Sequence, residues 1–524
     1  MSKIPVPRRA VLLAAGAALA LPPRAVRAAA RPLTVVLESE AIILDPHMTT
    51  AAITRSFGYH VFDTLFSMDS TGAIRPQMLE RHEVAADGLA WRFTLREGLR
   101  FHDGAAVTAA DCVASLARWA PHDSLGRMLL AAGAAFAADD ARSFGIRLAR
   151  PFPLMLSVLG KPNAPVPVIM PARVVAAAGS GRIKDIIGSG PFAFNAEAWR
   201  PGDSMVLTRF DGYVPRQEKP DFLAGGKVVH VDQVVLRVMP DDTTAANALM
   251  AGEIDYMQYL PFDQLELLAK APDVRVMTLT GLDMFQGNFR LNHASGPFAD
   301  PAVRAVLWKL VDQTEMLEAA GIGAAYRVEH CASFWMCGAP LSTDAGAQAA
   351  TFDVAAAKAE LARTGYKGEP VVMLEVAGSI SQAAGNVLAQ RMKQAGFTVD
   401  EQVMDWGTVL ARRAKHTGWS LFPVYSNGID MASPLTHFYV ANNCGDYPGW
   451  SCSDAMTKLL EQFAAAPDDT ARKALAASIQ EEAYRQTPSV MWGQFARPAG
   501  YRTRLSDLIQ SSFPMFWNVR VVAG

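Results

Sequence analysis

Between residues 358 and 404 the chain passes twice through the same unit: a helical stretch, a glycine, then a short run of apolar and β-branched residues. In KAELARTGYKGEPVVMLEV the helix ends at Gly365 and the strand is VVMLEV; in LAQRMKQAGFTVDEQVM it ends at Gly396 and the strand runs through Val399 and Val403. A glycine just past a helix accepts the left-handed conformation that closes it. Amphipathic helices alternating with short strands bury both kinds of apolar face only in a sheet covered by helices, the α/β class. The same alternation recurs elsewhere. LTVVLES (33–39) reads as a strand, and DDTTAANALMAGEIDYM (241–257) as a helix capped near Asp242, stopped by Gly252 and followed by a strand. DPAVRAVLWKLVDQTEML (300–317) reads as a helix with Asp300 as its cap and Pro301 at its first position. Near the C-terminus TARKALAASIQEEAYRQ is a long helix and SVMWGQF a strand.

A chain of 524 residues, half hydrophobic and 19% charged, can bury a large core over two or three domains. The N-terminus reads as an export signal. A basic head (Lys3, Arg8, Arg9) precedes an apolar run from Ala10 to Leu21, and Ala28, Ala29 and Ala30 offer a small-residue cleavage site. That run is too short to span a bilayer, and Arg8-Arg9 is compatible with twin-arginine as well as ordinary secretory export. Cleavage after residue 30 leaves 44 Lys+Arg against 51 Asp+Glu, a formal charge of −7. Nothing in that balance points to nucleic acid. An exported chain meets an environment that permits disulfides. Cys444 and Cys452 bracket GDYPGWS, whose Gly and Pro favour a turn that can join the sulfurs; Cys331 and Cys337 are a second candidate pair. Buried free thiols are the alternative for both, and Cys112 is the odd one out.

One stretch looks chemical and is read as scaffold. WRFTLREGLRFHDGAAVTAADCVASLARW (91–119) crowds His102, Asp103, Asp111 and Cys112 together. WRFTLR alternates apolar and polar residues as a half-buried strand does. His102-Asp103-Gly104 is turn chemistry, and Thr108 with Asp111 forms a capping box that opens a helix.

That succession of strand, FHDG turn and T-A-A-D helix resembles the solute-binding proteins of the peptide/nickel class of ABC importers, the extracellular solute-binding proteins of family 5. The resemblance continues in order through LDP (44–46), GSGPFAF (188–194) with WRPGDSMVLTRFDGY after it, AGEID (251–255), PFADPAVRAVLWKLVD (297–312), ARTGY (362–366) and TPSVMW (487–492). It implies a two-lobed α/β periplasmic binding protein with an extra α/β subdomain in lobe I. Mapped onto this chain, lobe I spans 31–282 plus 497–524, the subdomain about 77–185, and lobe II 290–490. Hinge crossings fall near 283–289 and 491–496. The implied partners are a small-molecule or peptide ligand and the membrane permease subunits. The implied protein is a periplasmic monomer that has neither cofactor nor catalytic residues.

The resemblance also nominates ligand-binding residues. Asp430, four residues before Pro434 in SNGIDMASP, matches the position that pairs with a peptide's α-ammonium in relatives, although here Asn427-Gly428-Ile429 precedes it in place of an aromatic residue. A loop Asp making a local turn bond is the plain alternative, and Asn427 joins the candidate set. In DWGTVLARR, Trp406 matches an apolar pocket wall and Arg413 a position able to neutralise a ligand carboxylate. A core Trp and a solvated Arg are their alternatives. From lobe I the loop His47 to Ala52 can add backbone groups and the Thr49 and Thr50 hydroxyls. Cys/His spacing alone does not distinguish a soft metal site at His330, Cys331 and Cys337 from a disulfide, and no metal is expected there or at His47 or His437. The leading function is therefore capture of a short peptide or related amine-bearing solute by lobe closure and delivery to a permease. An exported hydrolase using the same cleft is the alternative, although G-x-S-x-G, H-E-x-x-H and P-loop patterns are all missing.

Overall fold

In the computed structural model, residues 31–466 and 468–522 are described, and the export signal expected from the sequence lies outside them. Two mixed sheets organise the chain. The first runs Phe192–Arg200, Ser204–Arg209, Gln233–Arg237, Leu33–Val36, Tyr256–Met257, Ala499–Arg502, Val274–Met277. The second runs Arg327–Val328, Ser489–Phe495, Phe285–Leu291, Leu421–Asn427, Val371–Val376, Val399–Met404. The chain passes from the first to the second between Met277 and Phe285 and returns between Phe495 and Ala499. Each sheet with its helices makes one lobe, and the two long strands Phe285–Leu291 and Ser489–Phe495, buried along their whole length, pair with each other at the centre of the second.

A third, four-stranded antiparallel sheet is an insertion within the first lobe. It orders Leu79–Val84, Ala90–Leu95, Ser143–Arg147, Ala135–Ala138 and packs on the helix Ala109–Trp119. Phe93, Leu95 and Phe144 from its strands meet Cys112, Leu116 and Trp119 of that helix, all buried. The stretch 91–119 is thus scaffold. Thr108 N–H donates to Asp111 Oδ2 at 2.8 Å, Asp111 Oδ1 accepts from Ala172 N–H at 2.7 Å, and His102 Nε2 sits 3.1 Å from the Gly190 carbonyl.

Local chemistry sets the element ends. Asp241, one residue earlier than expected, caps the helix Asp242–Ala251 by accepting from Thr244 N–H at 2.6 Å, and Gly252 closes it at φ +76°. Ser379 caps Ile380–Ala395, which Gly396 ends at φ +108°. Two expectations are corrected. The segment 300–317 is not one helix: Pro301–Ala305 tightens into a 3-10 stretch Val306–Lys309, and a new helix Gln313–Ala319 starts where Asp312 accepts from Glu315 N–H at 3.1 Å. A second capping carboxylate inside an apolar-periodic run competes with continuation of the helix. The helix expected to reach Gly365 ends at Leu361, and Thr364 Oγ1 donates to the Leu361 carbonyl at 2.7 Å.

Cys331 is bonded to Cys337 and Cys444 to Cys452, while Cys112 is free and buried. No helix of the described residues is long and apolar enough to cross a membrane.

Candidate functional site

Parallel strands of an open sheet end together, and the loops beyond their C-terminal ends form a crevice where ligands bind. Both lobes present such ends to each other. From the first come Leu37, Glu38 and Ser39 after Leu33–Val36, Pro240 and Asp242 after Gln233–Arg237, and Tyr259 after Tyr256–Met257. From the second come Ala377 to Ser381 after Val371–Val376 and Trp406 after Val399–Met404. Between them lies a cavity of about 390 Å³, within the size range of small-ligand sites.

All six nominated residues line this one cavity: Thr49, Thr50, Trp406, Arg413, Asn427 and Asp430. Thr49 and Thr50 sit in the loop before the helix Ala52–Val61, where Thr49 Oγ1 accepts from Ala51 N–H at 3.1 Å. His47, in the same loop, is turned away and buried with Nε2 3.0 Å from the Val168 carbonyl. Trp406 and Arg413 stand at the two ends of the helix Trp406–Arg413, capped by Asp405. Seven residues apart on a helix is two turns, so both project from one face. The Arg413 guanidinium lies 5.2 Å from the Trp406 ring and 5.3 Å from Phe422. No carboxylate of the described residues forms an ion pair with it.

Asn427 and Asp430 follow the strand Leu421–Asn427, where the chain turns into the short helix Gly428–Met431. Gly428 permits that turn by close approach: a Cβ there would lie 2.9 Å from the carbonyls of Leu282 and Met284, and Gly428 N–H donates to Met284 at 2.7 Å. Asn427 is buried and its Oδ1 has no hydrogen-bond partner among the described residues. Asp430 is also buried, but committed. Its Oδ1 accepts from Arg55 Nη1 at 2.6 Å and from Asn163 Nδ2 at 2.8 Å. Arg55 belongs to the helix Ala52–Val61 of the first lobe, and Asn163 lies between the helix Met155–Gly160 and the strand Val168–Ile169.

Sequence reading missed the charged and aromatic cluster at the crossings. Arg497, in the segment returning to the first sheet, donates from Nη1 to Glu38 Oε1 at 3.0 Å and to Tyr425 Oη at 2.8 Å. Tyr425 in turn donates to Glu38 Oε1. The Arg497 guanidinium also stacks on Tyr259, 3.9 Å from the ring centroid. Burial works against the Arg497 charge, and the neighbouring Tyr425 and Glu38 more than offset it, so its pKa lies above the ordinary arginine value. Burial likewise raises the phenol pKa of Tyr259 and Tyr425. The available signal was positional: Glu38 is next to last in the segment LTVVLES, and Arg497 stands two residues past SVMWGQF.

Other contacts also bridge the lobes: Ser124 Oγ donates to the Leu435 carbonyl at 3.3 Å and Arg127 Nη2 to Asn442 Oδ1 at 2.9 Å. Among the described residues no group of three or more His, Cys, Asp or Glu is placed to hold a metal ion.

Comparison with known proteins agrees with this architecture. The family described as bacterial extracellular solute-binding proteins, family 5 Middle, matches residues 73–448. A probable peptide ABC transporter periplasmic-binding protein of Sinorhizobium fredii is 34% identical over 524 residues, covering 97% of each chain. Among solved structures, the PBP AgaA from A. tumefaciens R10 in complex with agropinic acid superposes with a TM-score of 0.78 at 22% identity, over 94% of this chain and 99% of that one. A dipeptide-binding protein from Pseudoalteromonas sp. SM9913 in complex with Met-Leu gives 0.79 at 18%, over 94% and 100%. At such identities the two structures show the shared two-lobed fold.

Proposed function

Because the chain belongs to the bacterial extracellular solute-binding proteins of family 5, we propose that it is the periplasmic receptor of an ABC importer. In this reading it captures a short peptide or related small amine-bearing solute by lobe closure and presents it to the membrane permease. The S. fredii relative is named for peptide transport, and the observation that carries the reading is the cavity itself. It is walled by both lobes and offers an aromatic plate (Trp406) and, among the described residues, a cation without a carboxylate partner (Arg413) and a buried acceptor without a donor (Asn427 Oδ1). A peptide supplies all three complements: a side chain to stack, a terminal carboxylate and N–H groups. Such a solute contacts both lobes at once, so its binding favours the closed arrangement, and the lobes move about the two crossings. Export through the N-terminal signal, with removal of residues 1–30, belongs to the same proposal.

The cleft gives no support to the hydrolase alternative: its buried acid, Asp430, and the more exposed Glu38 are each engaged by an arginine. Native mass spectrometry of the protein taken from its own periplasm tests the reading. A co-purifying small solute, released unchanged on denaturation, is the expected result. A solute that the protein converts would contradict it.

A further inference from the structure

Arg55 and Asp430 meet across the two lobes with their side chains almost wholly out of solvent, at 0% and 5% exposure. The guanidinium makes no other polar contact among the described residues: Nε and Nη2 have no hydrogen-bond partner, and the group otherwise rests 4.3 Å above the Phe513 ring. A buried arginine with one acceptor is expensive to hold unless the charge opposite it needs neutralising. Asn163 Nδ2 donates to the same Asp430 oxygen and to the Ile429 carbonyl at 2.9 Å, fixing the carboxylate toward Arg55. Of the other carboxylates lining the cavity, both exposed, Glu38 is held by Arg497 and Tyr425, and Asp242 lies near the same arginine. Among the described residues, Arg413 is the lining arginine that forms no ion pair with a carboxylate.

Building on the receptor reading above, we propose that Arg55 is a specificity-determining residue. It fills the cation position opposite Asp430 from within the protein, so the charge recognised in the solute is a carboxylate at Arg413, and an ionised α-amine is neither required nor rewarded. A tethered guanidinium outcompetes a free ammonium for one carboxylate because its effective concentration is far higher than that of any dilute solute. Amine groups are then read only as hydrogen-bond donors, by Asn427 Oδ1. The cleft accepts blocked, acylated or cyclised amines alongside free ones, and discriminates on the anionic end.

Calorimetry with trialanine, N-acetyl-trialanine and trialanine amide decides the matter on the full chain. The expected result for the wild type is that acetylation changes affinity by less than about threefold, while amidation of the carboxylate lowers it by about thirtyfold or more. Arg55→Ala exposes Asp430 to external cations and restores a preference for the free amine over the acetylated peptide of about tenfold or more. Loss of binding on acetylation in the wild type overturns the inference while leaving the receptor reading intact, and needs no variant. If no trialanine form binds, the peptide reading fails, and methylammonium chloride alone decides the inference. A saturable methylammonium site present in Arg55→Ala and missing from the wild type upholds it; equal titrations in both overturn it.

Discussion

Tyr425, on a strand of the second lobe, donates its phenolic hydrogen to Glu38, at the C-terminal end of a strand of the first, and Arg497 from the returning crossing touches both. Three residues from three separated parts of the chain thus close one hydrogen-bonded ring where the lobes join. Tyr425→Phe removes the hydroxyl and leaves Glu38 with Arg497 alone. The expected cost to the closed, solute-bound state is about 1.5 to 3 kcal/mol, the usual range for a hydrogen bond to a charged group. Calorimetry on the variant with the co-purifying solute checks this.

Arg413→Met keeps the aliphatic contact with Trp406 and deletes the charge. Because Arg413 forms no ion pair with a carboxylate among the described residues, thermal stability should change little, whereas affinity for a carboxylate-bearing solute should fall by about 2 to 5 kcal/mol. Arg413→Lys should recover only part of the loss, since an ammonium lacks the planar fork that grips a carboxylate. A matched pair of melting curves and titrations separates the two effects.

Each disulfide closes a short loop, with 6 residues of sequence separation for Cys331–Cys337 and 8 for Cys444–Cys452. In the chain-entropy view each stabilises by roughly 2 to 3 kcal/mol. Reduction should lower the melting temperature and open Cys444, Cys452 and the partly exposed Cys337 to alkylation under native conditions, while Cys331 and Cys112, both buried, label only on unfolding. Mass spectrometry of alkylated protein reads the count.

Glu375, on the strand Val371–Val376, is buried with neither carboxylate oxygen hydrogen-bonded among the described residues. Burial, aided by the nearby Glu401, raises its pKa from 4.5 to about 7. The folded state therefore holds this proton more tightly than the unfolded chain does. The resulting contribution to stability is complete below about pH 4.5 and is lost as pH rises to about 7, a change of up to about 3 kcal/mol. Glu375→Gln should flatten that descent, so the difference in unfolding free energy between variant and wild type should grow from pH 4.5 to 7 and level off above it.

The α/β class was legible because helix–glycine–strand units repeat with their caps in place: Ser379 to Gly396 and Asp241 to Gly252 are local chemistry, written in consecutive residues. The break at Asp312 was not, because an acidic cap inside an apolar-periodic run looks the same whether the helix continues or restarts. In the cleft, Trp406 and Arg413 were nominated by the family resemblance, and the seven-residue spacing on one helix brings both to the cavity. Arg55 was missed because what gives it meaning is Asp430, 375 positions away. Nothing in the local sequence of a helix can announce a partner on the opposite lobe. The same holds for Glu38 and Tyr425.

Small-angle X-ray scattering, on protein stripped of its solute by denaturation and refolding, tests most directly whether two lobes close on a guest. Returning the solute released from the same preparation should shrink the radius of gyration in a saturable manner, at one solute per chain. Superimposable profiles before and after addition, with binding proven by calorimetry, would contradict closure as the means of capture.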